Sequence, residues 1–156
     1  MNDSSSADIL TMLSRQEEAI AALYSAFALA LPKMKQFWSS LVIQEKAHGE
    51  VLRELGKLQE SGRVYLNESM FNTVAIQTNI DSMTKQTSQV SSEGITPIRA
   101  LSLAADIEHS LIEAGYFKII ESKLPSVKKE LEEIQKHTRQ HQLIVDKQLE
   151  ELRMHQ

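Results

Sequence analysis

Glu45 and His48 stand three residues apart in the run Gln44-Glu45-Lys46-Ala47-His48. On a helix that spacing sets a carboxylate and an imidazole side by side on one face. Phe37, Leu41, Leu52 and Leu55 recur in phase with them and mark that face as the buried one. Burying such groups is costly unless something compensates them. A metal ion held between helices compensates both at once. Other segments carry polar residues inside apolar stripes of their own. Glu17 lies between Leu13 and Ile20, Glu108 between Ala105 and Ile112, and Thr138 and His141 between Ile134 and Val145. The candidate metal ligands are therefore Glu17, Glu45, His48, Glu108 and His141. Carboxylates with imidazoles suit iron, as one or two ions, and would also accept manganese or zinc.

Long amphipathic helices must position these groups. Leu13, Glu17, Ile20, Tyr24, Phe27 and Leu31 alternate at spacings of four and three, the seam of a helical bundle. They predict a helix over 7–31 behind a disordered tail at 1–6, with 7–156 forming a single domain. Pro32 breaks the chain and opens a second helix over 33–60, which Ser61-Gly62 stops. The tight connection predicts an antiparallel hairpin. Residues 61–95 are polar and weakly periodic, yet too long for a bare loop, and read as a crossover containing a short helix. Thr96-Pro97 starts a third helix to about 122, and Pro125 a fourth to about 153. The predicted fold is all-α, two antiparallel hairpins joined by one long crossover. Glu17 precedes Pro32 by 15 residues and Glu45 follows it by 13, which places both roughly 20 Å from the turn. Glu108 precedes Pro125 by 17 and His141 follows it by 16. A crossover brings these two sets into one layer.

Composition bounds the chemistry. The 156 residues include no cysteine, which excludes disulfides, zinc knuckles and iron–sulfur centres. The net charge is −4 with both signs interspersed, so no basic stripe argues for nucleic acid. Met1-Asn2-Asp3-Ser4-Ser5-Ser6 lacks the basic and apolar regions of a signal peptide. No apolar run is long enough for a bilayer. A cytoplasmic protein without membrane association is the expectation.

The helix connectivity and these motifs resemble the rubrerythrin and ferritin-like di-iron carboxylate family. That family takes one Glu from each of two helices and a Glu-x-x-His from each of the other two. Glu17 with Tyr24 seven residues on is similar to the first-helix pattern. Glu45 and His48 resemble the second-helix Glu-x-x-His. Glu108, with Tyr116 eight residues on, resembles the third-helix ligand, and His141 the histidine of the fourth. The resemblance implies a ferritin-like four-helix bundle that binds iron, and an oxidoreductase oxidising Fe(II) with oxygen or peroxide, with Glu45 bridging. The fourth helix departs from the pattern, because Thr138-Arg139-Gln140-His141 puts a threonine where the family has its second bridging carboxylate. The chain also lacks the cysteine-rich module that commonly delivers electrons, so turnover implies an external redox partner.

Alternatives stand beside several of these residues. Glu18 neighbours Glu17, Asp106 and His109 flank Glu108, and His137 stands next to Thr138. Tyr24 and Tyr116 read as core packing, with hydroxyls suited to bonding ligand carboxylates. The rival to a metal protein is a non-catalytic bundle with a buried polar network, acting as a structural or interaction module. Met70, Phe71, Val74 and Ile76 on the crossover would then serve a partner or a homodimer. An iron store is disfavoured, because nothing in the sequence predicts the shell of subunits that storage requires.

Overall fold

The computed structural model describes residues 3–67, 72–114 and 120–155. Helix α1 (Asp3–Ala30) is followed by a 3₁₀ turn (Pro32–Met34) and helix α2 (Lys35–Glu60). Strand β1 (Val64–Leu66) leads to helix α3 (Thr73–Glu93) and helix α4 (Pro97–Ala114). Strand β2 (Ile120–Ser122) precedes helix α5 (Pro125–Met154). The protein is thus mostly helical, as the composition requires, with one small antiparallel sheet.

Side-chain contacts fix the helix directions. Moving back along α1 from Tyr24 to Ser14 and Leu10, the partners on α2 advance from Trp38 to Gly49 and Gly56. Helices α1 and α2 are therefore antiparallel. On α2 and α5, Glu45 meets His141 while His48 meets His137, so these two are antiparallel as well. Helix α4 packs against α5, and Ala30 of α1 borders one groove with Thr96 and Arg99 while Gln16 and Ile20 border another with Ile107 and Leu111, so α4 runs antiparallel to α1 and hence with α2. The chain must consequently return between α2 and α4. Helix α3 makes that return, and its 21 residues span roughly 31 Å at the usual rise.

The crossover helix is therefore long, not short. Its start is capped by Asn72, whose side chain accepts a hydrogen bond from Ala75 N at 3.0 Å. Its end is Gly94, with φ +75, a conformation that favours glycine. Only one narrow stripe, Ile76, Ile80, Met83 and Val90, turns inward, chiefly against α1. That thin stripe explains the weak periodicity. Met70 and Phe71 lie outside the described residues, Val74 is exposed and Ile76 packs against the core.

Three further boundaries differ from expectation. Helix α1 begins at Asp3, four residues early. The second helix is preceded by a 3₁₀ turn. Helix α4 is described as far as Ala114, and residues 120–122 are extended instead of helical. They pair with β1 in the register Val64↔Ser122, Tyr65↔Glu121, Leu66↔Ile120. Val64 and Ile120 are buried, so the sheet is anchored on its inner face and ties the end of α2 to the start of α5.

The core holds an aromatic cluster at the closed end of the α1–α2 hairpin. Trp38 is fully buried, with its ring 5.3 Å from Tyr24, 4.8 Å from Phe27 and 4.9 Å from Phe37. Trp38, not Phe37, is the more deeply buried of the pair. Leu10, Leu13, Leu52 and Leu55 fill the opposite end. Trp38→Ala is expected to lower stability by about 3–5 kcal/mol, read as a shift of the urea unfolding midpoint. A loss near zero would contradict this packing.

Candidate metal centre

Between the aromatic cluster and the leucine layer, four helices each turn a polar group inward. Glu17 comes from α1, Glu45 and His48 from α2, Glu108 from α4, and Thr138 and His141 from α5. All six are buried, Glu108 with no exposure at all. The flanking residues face out. Glu18 is exposed and pairs with Arg53, Asp106 is exposed, and His109 pairs with Asp146 at 3.1 Å. Helices α1 and α2 are close here, where Ser14 Oγ donates to the Gly49 carbonyl at 2.8 Å.

The five sequence-predicted ligands form two overlapping sets. Glu17, Glu45 and His48 offer ligand atoms within 4.8 Å of one another, and so do Glu45, Glu108 and His141. Glu45 belongs to both. His141 Nδ1 donates to Glu45 Oε1 at 2.9 Å and lies 3.6 Å from Glu108 Oε1. His48 Nδ1 lies 3.6 Å from Glu45 Oε2. Glu17 and Glu45 lie side by side within the first set. Tyr24 donates its hydroxyl to Glu108 Oε1 at 2.9 Å, so this residue packs in the aromatic cluster and also touches the polar layer. Tyr116 lies outside the described residues.

Both histidines present Nδ1 to the carboxylates and Nε2 away from them. The outward nitrogen of His141 meets Gln44 Oε1, and that of His48 meets His137 Nδ1 at 3.1 Å. Such partners fix ring orientation in metal-ligating histidines. The rings of His137, His48 and His141 stack in a column, at 5.3 Å and 5.9 Å between successive centroids. The sequence assigns Gln44 no role and reads His137 as a flanking residue, with replacement of Thr138 as its alternative. His137 sits outside the layer, as a flanking residue does, and Thr138 turns its hydroxyl onto Ile134 O at 2.9 Å. Gln44 is adjacent to Glu45, and His137 is four residues before His141 on the same side of α5, and those spacings are the available signal for their contacts with the two histidines.

The electrostatics follow from burial. Burial, then the Glu45 and Glu108 charges, raises the Glu17 carboxyl well above the ordinary range. Burial, reinforced by Glu45 and opposed by His141, lifts Glu108 to about 7. Glu45 moves the other way despite its burial, because the facing Glu17, His141 and His48 groups stabilise its anion. Burial opposes the charge on His141, but the Glu108 and Glu45 hydrogen bonds outweigh it and raise the ring to about 9. One oxygen of each carboxylate (Glu17 Oε2, Glu45 Oε2 and Glu108 Oε2) is buried without a hydrogen-bond partner among the described residues. Three dry, unpartnered oxygens converging on one layer are a donor set that fits divalent cations.

Comparison with known family models, curated proteins and solved structures finds no match.

Folded, Glu108 keeps its proton to about 7 and His141 to about 9, against 4.5 and 6.5 for the free groups. The folded chain therefore holds more protons than the unfolded chain in this interval. The stability these two groups contribute is present at low pH and lost as pH rises. Glu45 adds no slope here, since a lowered carboxyl titrates only in acid. The metal-free protein should thus melt at a lower temperature near pH 9 than near pH 6. Thermal unfolding in chelator at the two values checks this, and an equal or higher midpoint at alkaline pH would contradict it.

Proposed function

We propose that this chain is a ferritin-like metal-binding protein of rubrerythrin type, whose centre takes two divalent transition-metal ions, iron first. The observation that carries the reading is the pair of ligand sets sharing Glu45, each ending in a buried carboxylate oxygen with no partner. The direction of the four helices and the return through α3 also support the ferritin-like bundle.

In this reading Glu17, Glu45 and His48 would hold one ion, and Glu45, Glu108 and His141 would hold the other. Glu17 and Glu108 give up their protons as the cations arrive, because a carboxylate ligand must be ionised. His141 gives up the Nδ1 proton and keeps the Nε2 proton on Gln44. Tyr24 holds Glu108 in place. The aromatic and leucine layers keep water away from the ligands. Two bound iron ions would supply one-electron redox chemistry toward oxygen or peroxide, with electrons from an external donor.

Thr138 favours a second reading, in which metal binds without turnover. Where the family's second bridging carboxylate would stand, the threonine hydroxyl is committed to its own helix. The ion held by Glu108 and His141 is then the weaker of the two.

Anaerobic Fe(II) loading should give about two ions per chain, with an absorbance change on adding peroxide. About one ion and no change would favour the second reading. No uptake of iron, manganese or zinc would leave a polar-cored bundle. Saturating metal should raise the melting temperature of the wild type, and Glu45→Gln should remove that rise. A variant that retains the full metal-induced rise would contradict the bridging role.

A further inference from the structure

His48 is nearly inaccessible, yet it lines a groove of about 410 Å³ between α2 and α5. Ala47 and Val51 of α2 border this groove, with Glu130, Glu133 and His137 of α5. Helices α2 and α5 meet loosely along it, since α2 packs far more extensively on α1 and α5 on α4. Its charged lining comprises two carboxylates, Glu130 and Glu133, against one ammonium, Lys129, so the groove favours cations.

The groove holds a graded series of ligand types. Glu133 and His137 are four residues apart on α5, and Glu133 Oε2 lies 3.8 Å from His137 Nε2. A divalent cation can sit between two such donors with little adjustment. Both side chains are partly open to solvent, His137 at 34% and Glu133 at 53%. His137 Nδ1 meets His48 Nε2 at 3.1 Å. Behind His48, at 3.6 Å, stands Glu45 Oε2, a buried oxygen without a hydrogen-bond partner.

We propose that this groove is the loading route of the buried centre, with Glu133 and His137 as an outer station that captures a divalent cation and His137 as the residue that passes it inward beside His48. The inference rests on the metal-centre reading above and assigns residues which that reading does not use. A half-exposed imidazole can swing on its own χ angles, so transfer needs no helix to move. Being outside the layer, His137 adds nothing to the final coordination. A group that only eases passage changes the loading and release rates by the same factor and leaves affinity unchanged.

The test uses Co(II), whose visible absorption reports coordination without redox chemistry. Stopped-flow loading of the full chain should slow about tenfold in Glu133→Gln, with a weaker dependence on salt. In His137→Ala, loading should slow as well, with the stoichiometry of the wild type. Ala47→Phe, at an exposed position bordering the groove, should slow loading and chelator-driven release by one common factor through obstruction, with Kd as in the wild type. Unchanged rates in all three variants would overturn the route. Absence of Co(II) uptake by the wild type would instead remove the metal centre itself. Normal uptake with insensitive kinetics removes only the route.

Discussion

Three carboxylates confined to one dry layer are the constraint on which this molecule depends. Glu17, Glu45 and Glu108 arrive from three different helices, and the layers on either side exclude the water that would otherwise separate their charges. Like charges this close cannot all remain ionised in a medium of low polarisability. The fold accommodates them unequally. Glu45 is ionised and surrounded by donors, while Glu17 and Glu108 hold protons that a neighbouring anion makes hard to release. Protons and cations therefore compete for the same oxygens, and the layer is a place where positive charge of one kind must be present.

The remaining polar contacts orient that layer instead of stabilising the fold. Gln44 and His137 occupy the outward nitrogens of the two histidines, which leaves Nδ1 of each ring directed at carboxylate oxygens. Tyr24 links the aromatic cluster to Glu108, so packing of Trp38 and Phe27 is transmitted to the position of a ligand oxygen. A buried polar group with a fixed partner has one geometry to adopt, and a network of such groups specifies a single arrangement of helices more sharply than apolar contact does. Trp38 Nε1, buried without a partner among the described residues, is a polar atom that this close aromatic packing leaves unsatisfied.

Much of this was legible in the sequence because helices write their buried face at a fixed period. The seams through Glu17, Glu45, Glu108 and His141 identified the inward residues, and distance from Pro32 and Pro125 identified their common depth. Glu18 and His109, one position out of phase, face solvent accordingly. What escaped was whatever depends on partners remote in sequence. Val64-Tyr65-Leu66 is too short to display alternation, and its partner strand lies on the far side of two helices. Helix α3 buries a single narrow stripe, so its polar remainder resembled a loop. The roles of Gln44 and His137 follow from how α2 meets α5, a contact that neither helix announces alone.

The small sheet has a consequence for how the layer is assembled. Glu17, Glu45 and His48 belong to one hairpin of nearby segments, whereas Glu45 and His141 are separated by 96 positions along the chain. Joining ends that far apart carries a loop-closure entropy that grows slowly with length. In the folded chain the pairing of Val64–Leu66 with Ile120–Ser122 closes most of that loop at the bundle's end. Given that pairing, the contact of α5 with α2 closes only the two arms from Val64 back to Glu45 and from Ser122 on to His141. Long-range order is thereby bought with six strand residues and two buried apolar side chains, and the residues of the polar layer, poor nuclei for collapse, are relieved of having to find one another unaided.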